Sequence, residues 1–173
     1  MTAYQDANPE TEQGKALYAE LLWVHSVLRH DLAAVERLAD QVAAGLSAED
    51  LAQELETLKT TGPLWQLKVS CLRYCRFVHM HHGAEDVLLF PVIRGADPEL
   101  GTVVDRLEAD HRRVSEILDL IEAAAGDLTE DGSDRARQRV VYGLQQLHSH
   151  LLEHLDFEEE NAGPAVRRLT SWG

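Results

Sequence analysis

The chain has 173 residues, of which 30 are acidic and 16 basic, for a formal net charge of −14. That length buries most of the surface of one ordinary domain and is short for two, so a single domain over residues 1–173 is expected. An acidic surface excludes nucleic acid and anionic membranes as partners, because both are met by basic residues that release counterions or reach headgroups.

The N-terminal stretch MTAYQDANPETEQG has neither a basic n-region nor an apolar h-region, and no apolar run approaches the ~20 residues of a membrane span. A soluble, cytoplasmic protein is the expectation. Asn8-Pro9-Glu10 reads as N-cap, first-turn proline and early acid of a helix that continues to about Ala44, with Gly45 as its stop. Ser47 with Asp50 caps a short helix that runs up to Gly62-Pro63. A second long helix covers about Leu64 to Phe90 and halts near Pro91. Cys71 and Cys75, the only cysteines, lie four apart on it, a spacing that suits core thiols in a reducing compartment better than a disulfide. Asp97-Pro98-Glu99 opens a third helix that ends at Gly126; DLTEDGSD is a loop, and a fourth helix runs from about Asp134 to Asn161, before Gly163-Pro164. Strand signals are almost absent. The pattern implies an all-α, up-down-up-down four-helix bundle with a short extra helix between helices one and two.

Each long helix carries a seam of apolar residues at alternating steps of three and four. It runs Tyr18, Leu21, His25, Leu28, Leu32, Val35 and Ala39 in the first, and Leu64, Leu67, Cys71, Tyr74, Val78, His81, Glu85 and Leu88 in the second. In the third it is Leu100, Val104, Leu107, His111, Val114, Leu118, Ile121 and Ala125; in the fourth, Val140, Leu144, Leu147, Leu151, His154 and Glu158. Six residues break the apolar pattern: His25, His81, Glu85, His111, His154 and Glu158. Of the other histidines, His30 and His79 take outward positions, while His82, His148 and His150 flank their seams, where a supporting role at the rim is open to them. A buried carboxylate without a partner costs several kcal/mol against a total stability of about 5 to 15 kcal/mol, so something must offset two acids and four imidazoles.

With the helices antiparallel, the six converge on one end of the bundle. Histidine and glutamate at i and i+4 stand about 5 to 6 Å apart at Cβ, so His-x3-Glu can present both side chains to one metal, or bridge to a second. Imidazole with carboxylate suits iron, manganese or zinc better than calcium or magnesium. The chain also repeats itself: HHGAEDVLLFPVIR (81–94) aligns without gaps on HLDFEEENAGPAVR (154–167), matching His, Glu, a second acid, Pro and Arg. Two similar hairpins thus each donate His, then His-x3-Glu, which implies a pseudo-two-fold site for two metal ions.

The order His … His-x3-Glu … His … His-x3-Glu, with HH-x2-ED-x3-FP in helix two and HL-x2-EE in helix four, resembles the haemerythrin-like (HHE) cation-binding family from about Tyr18 to Arg167. By position, the resemblance implies His25, His81, His111 and His154 as nitrogen ligands and Glu85 and Glu158 as bridging carboxylates of a non-haem di-iron centre, its two irons joined by an oxo or hydroxo bridge, with manganese and zinc second to iron. Oxygen-carrying haemerythrins have a further histidine four residues after the first in helix three, where this chain has Ser115, and an aspartate five residues beyond the last histidine, where it has Glu159 beside Glu158. Two histidines, two bridging carboxylates and one solvent bridge would leave each iron one open position. That favours redox chemistry with peroxide, dioxygen or nitric oxide, or iron and oxygen sensing, over reversible carriage. The implied partner is a small diatomic or peroxide ligand. The chain therefore reads as a possible di-iron oxidoreductase with no catalytic residue separate from the metal site; a sensor or dioxygen-binding protein without catalysis is the alternative. Tyr18 and Tyr74, one heptad before His25 and His81, fit core packing first.

Three rival readings fit less well. HLLEH (150–154) matches the motif of inverted zinc peptidases, but only 19 residues remain downstream for a third ligand. A ferritin-like protein needs two Glu-x2-His motifs, and only Glu108 to His111 fits. A metal-free bundle leaves the clustering of charged seam residues without a cause.

Overall fold

In the computed structural model of the chain, residues 9–45, 63–128 and 134–171 are described; the N-cap expected at Asn8 and the short helix expected after Ser47 lie outside them. Helix α1 spans Glu12–Gly45, α2 Pro63–Ala84, α3 Phe90–Ala96, α4 Gly101–Asp127, α5 Asp134–Asn161 and α6 Gly163–Val166. A π-helical turn, Glu85–Leu89, joins α2 to α3, and a 3-10 turn, Pro98–Leu100, precedes α4. No strand occurs among the described residues, and none of their helices is long and apolar enough to cross a membrane.

The start of α1 differs from the local reading. Pro9 stays outside the helix, and the Thr11 hydroxyl accepts the Gly14 N–H at 2.8 Å, capping the first turn. The same hydroxyl donates to the Leu169 carbonyl, and the Thr11 N–H donates to the Arg167 carbonyl at 3.0 Å. The helix start is thus set by the far end of the chain, which local sequence signals do not contain. Gly14 allows this approach, since a Cβ there would overlap the Arg167 carbonyl. Gly14→Ala should therefore lower stability by about 1 to 3 kcal/mol through overpacking. Helix propensity alone predicts the opposite sign, a gain of about 1 kcal/mol, so a denaturant midpoint decides between them.

Helix two does not halt at Pro91. Pro91 occupies the first turn of α3, and the π-turn before it, in which the Phe90 N–H reaches back five residues to the Glu85 carbonyl, carries the helical path into that turn. The wider turn also moves the seam on by one residue. Leu88, placed on the seam by strict periodicity, is 50% exposed, and Leu89, Phe90 and Ile93 are buried instead. The remaining long helices, α4 and α5, begin and end within a few residues of their sequence signals.

α1 and α4 each pack against both α2 and α5, so the long helices close a ring around one interior and form a helical bundle. That interior holds two apolar clusters. The larger contains Leu28, Leu32, Val78, Leu118, Leu147 and Leu151, together with the free and buried Cys71 and Cys75. Burial raises both thiols, that of Cys71 to about 12, which keeps them unreactive as core residues. The smaller cluster contains Leu17, Phe90, Ile93, Leu107 and Val166. Along the helices the two clusters bracket the polar seam residues: Leu17 and Leu28 stand either side of His25, Val78 and Leu89 either side of His81 and Glu85, Leu107 and Val114 either side of His111, and Leu151 and Ala162 either side of His154 and Glu158. The polar residues therefore form an internal layer with apolar packing on both sides, where the sequence placed them at an end.

Candidate metal centre

All six seam-breaking residues lie in this layer. His25, Glu85, His111, His154 and Glu158 are buried, and the His81 side chain is 8% exposed. Glu85 stands at the middle: its Oε1 lies 3.2 Å from His81 Nε2 and 3.9 Å from His25 Nε2, and its Oε2 lies 3.4 Å from His111 Nε2. Glu158 Oε2 lies 3.4 Å from His25 Nε2 and 3.9 Å from His154 Nε2, while His111 Nε2 and His154 Nε2 approach to 3.1 Å. The donor atoms sort into two groups, each within 4.8 Å internally: His25, His81, Glu85 and Glu158; and His82, Glu85, His111 and His154. Glu85 belongs to both.

Buried polar atoms are nearly always hydrogen-bonded, yet here both oxygens of Glu85, both of Glu158 and the Nε2 atoms of His25, His81 and His82 have no hydrogen-bond partner. Several of these atoms approach one another closely without hydrogen-bond geometry. Imidazole nitrogens and carboxylate oxygens that converge on one another without hydrogen-bond partners form a donor set that fits a cation, taken up in exchange for the protons the layer holds. The fit includes the surroundings of the ligand nitrogens. His111 Nδ1 pairs with Asp86 Oδ1 at 2.8 Å, and His25 Nδ1 pairs with Glu159 Oε1 at 2.8 Å. Glu159 is itself held by Arg29 at 2.8 Å. An Nδ1–H donated to a carboxylate fixes the ring orientation and turns the Nε2 lone pair of His111 into the layer. Asp86 and Glu159 are the second acids of the two sequence repeats, and each serves a histidine on the helix next to its own.

Charge in the metal-free layer is divided unequally. Burial alone would depress His25, but the nearby carboxyl groups of Glu158 and Glu85 favour its charged form, outweigh burial and raise His25 to about 10. Glu158 is correspondingly lowered: burial opposes its charge, and the His25 partner prevails. Burial and the Glu158 charge push Glu85 well above the usual carboxylate range, so it stays protonated beside that pair. Burial, with neighbouring histidines, lowers His81 to about 4, His111 to about 2 and His82 well below its ordinary value.

His82 is the residue that sequence reasoning underestimated. It is 5% exposed, stacks on His111 with ring centroids 4.0 Å apart and joins the second donor group. A signal was present, since Cys75, Val78 and Leu89 stand seven and four residues before and seven after it, and all are buried. α2 thus buries a stripe wide enough for both His81 and His82. The other histidines remain outside the layer. His30 is exposed, His79 lies 3.8 Å from Asp119, and His148 lies 3.1 Å from Glu36. Tyr74 donates to the Leu28 carbonyl at 3.0 Å within the larger apolar cluster, and Tyr18 reaches the Glu159 carbonyl at 3.4 Å, so both act in packing.

A family model, the Hemerythrin HHE cation binding domain, matches residues 66–166, more than half of the chain. The chain belongs to this family. Searches of curated proteins and of solved structures give no significant match. Membership in the haemerythrin HHE family implies that the chain binds a metal ion, and the two donor groups are where it could do so. The matched span contains His81, Glu85, His111, His154 and Glu158 but stops short of α1, so His25 joins the haemerythrin layer on geometry alone. Asp86→Asn should weaken metal binding about 10- to 100-fold, because an amide holds the His111 ring less firmly than a carboxylate. Competition with a chromogenic chelator measures that loss, and far-ultraviolet circular dichroism should remain unchanged.

Proposed function

We propose that this haemerythrin-family chain is a single-domain, cytoplasmic, up-down-up-down four-helix bundle that holds two non-haem iron ions and binds or reacts with dioxygen, peroxide or nitric oxide at them. The observation that carries the reading is Glu85, whose two oxygens face histidines of both donor groups with no hydrogen-bond partner of their own. In this reading His25 and His81 serve one ion, His111 and His154 the other, and Glu85 and Glu158 span both. Successive contacts run in opposite senses along neighbouring helices, His25 with His81 and Leu28 with Tyr74, Cys75 with Leu118 and Asp86 with His111, His111 with His154 and Asp127 with Arg139, and Arg29 with Asp156 and Glu36 with His148, which supports alternating helix directions.

Imidazole and carboxylate donors without thiolate favour iron over metals that prefer sulfur, since Cys71 and Cys75 sit in the apolar cluster away from the layer. When bound, a pair of irons supplies one-electron and two-electron exchange with small oxidants. The chain supplies the rest. Apolar packing on both sides of the layer excludes bulk water, so charges within it are weakly screened. Asp86 and Glu159 hold two of the imidazoles in the orientation that metal binding requires. An iron- or oxygen-responsive sensor, or a dioxygen-binding protein without catalysis, would use the same residues.

Metal analysis of the purified protein, with its absorption spectrum, tests the reading. About two irons per chain with ligand-to-iron charge-transfer bands is the expected result. A colourless protein with one zinc would sink it. Peroxide added to the oxidised protein, followed by oxygen release, then separates an enzyme from a protein whose reduced form takes up dioxygen reversibly.

A further inference from the structure

We propose that Asp110 is a positioning residue of the polar layer: it stands off from His154 in the metal-free chain and receives the His154 Nδ1–H once Nε2 becomes a ligand atom. The inference deepens the metal-centre reading above and rests on it. His154 is 1% exposed, yet its Nδ1 has no hydrogen-bond partner. The carboxylate facing that nitrogen is Asp110, whose Oδ2 lies 3.9 Å away, beyond hydrogen-bond reach. His25 and His111 differ, since each pairs its Nδ1 with a carboxylate at 2.8 Å.

The gap at Asp110 follows from where the hydrogens sit. A neutral imidazole carries one N–H, and in His111 it is on Nδ1, bonded to Asp86. His111 Nε2 is then a bare acceptor, so the hydrogen in its 3.1 Å contact with His154 Nε2 belongs to His154. That leaves His154 Nδ1 with a lone pair facing a carboxylate oxygen, two acceptors with nothing to draw them together. A cationic His154 would carry an N–H on Nδ1 as well, and a buried N–H aimed at an acid closes on it. A ligand nitrogen must be bare, so when His154 Nε2 takes that role its hydrogen moves to Nδ1. The two acceptors become a donor and an acceptor, and a closure of about 1 Å brings them into hydrogen-bond range.

Asp110 is held in place for this. Its Oδ2 lies 3.7 Å from Arg106 Nε, and the same guanidinium donates to Glu153 Oε1 at 3.0 Å and lies 3.7 Å over the Phe157 ring. Glu153 and Phe157 are on α5, either side of His154, so Arg106 ties the α4 carboxylate to the helix that carries its histidine. The Asp110 side chain is 32% exposed, which keeps its charge partly solvated during the standoff. Asp86 and Glu159 thus orient their rings before an ion arrives, and Asp110 secures a third ring afterwards.

Proton–nitrogen correlation spectra of protein labelled with nitrogen-15 at histidine read the tautomer directly, without metal and with zinc ion added as a diamagnetic probe. The His154 signals are those lost in His154→Gln. Wild type should carry the His154 hydrogen on Nε2 without zinc and on Nδ1 with it. Asp110→Asn should bind zinc at least about tenfold more weakly in competition with a chelator. In chelator alone the same variant should unfold at a denaturant midpoint equal to or above that of wild type, because its amide N–H can donate to the bare Nδ1. An acid with a merely structural role would lower that midpoint. A hydrogen already on Nδ1 in the metal-free wild type, a lowered midpoint in Asp110→Asn, or wild-type zinc affinity in that variant overturns the role of Asp110 and leaves the metal centre standing. A wild type that takes up neither zinc nor ferrous iron removes the metal centre, and the role of Asp110 with it.

Discussion

Glu85→Gln should remove both metal ions and not one. Glu85 is the only residue in both donor groups, so its loss withdraws a ligand from each position. Total metal should fall from about two ions per chain to less than a tenth of that, whereas His25→Ala or His154→Ala should each release one. The same substitution should act in the opposite direction on the metal-free protein. There Glu85 lies buried beside the Glu158 charge, with both its oxygens unpaired and its ionisation strongly disfavoured. At neutral pH the folded chain must hold a proton there that an unfolded glutamate has released, a cost that an amide of similar shape does not carry, and the metal-free variant should gain about 1 to 3 kcal/mol. Elemental analysis after saturation, together with denaturant unfolding in chelator, measures the two effects. One tightly held ion in Glu85→Gln would refute the shared-ligand geometry.

The metal-free protein should also be unusually sensitive to mild acid. His81 titrates at about 4, His111 at about 2 and His82 well below its ordinary value, so all three stay neutral in the folded layer where the unfolded chain takes up protons near pH 6.5. Their stabilising contribution is present above pH 6.5 and is lost as pH falls. Glu85 opposes this, because it holds its proton in the folded state down from well above 4.5, where an unfolded glutamate has released it. His25, raised to about 10, is protonated in both states below pH 6 and adds no slope there. The balance is a net uptake of about two protons on unfolding, or about 3 kcal/mol lost per pH unit between pH 6 and 4.5. Unfolding midpoints at pH 7, 6 and 5 in chelator check this. A flat profile would mean that the histidines are already solvated.

Much of the layer was legible because it rests on a short-range rule. Period-3.6 patterning places one stripe of each helix inward, so His25, His111, His154 and Glu158 could be identified by interrupting an apolar seam, and all four are buried. The same rule separates Glu158 from Glu159: Glu158 lies inside the layer, while Glu159 turns to Arg29 and the far nitrogen of His25. What escaped depends on departures from ideal helix or on distant contacts. The π-turn moved the buried position from Leu88 to Leu89, which strict periodicity cannot register. The cap at Thr11 depends on carbonyls more than 150 residues away in the chain. His82 falls beside the narrow apolar seam of α2, but that helix lies between two neighbours and buries a wider stripe than the seam alone predicts.

The polar layer between two apolar clusters has a mechanical consequence. Each cluster can cohere by itself, but across the layer the metal-free protein has lone pairs where it would otherwise have packing. The chain is therefore built as two cores with a seam of weak cohesion across the bundle, and a bound ion would act there as a rivet. Sub-global opening should begin at this seam. Slow amide hydrogen exchange would then report metal occupancy more sensitively than helix content, because the two cores would open separately without the ion and together with it.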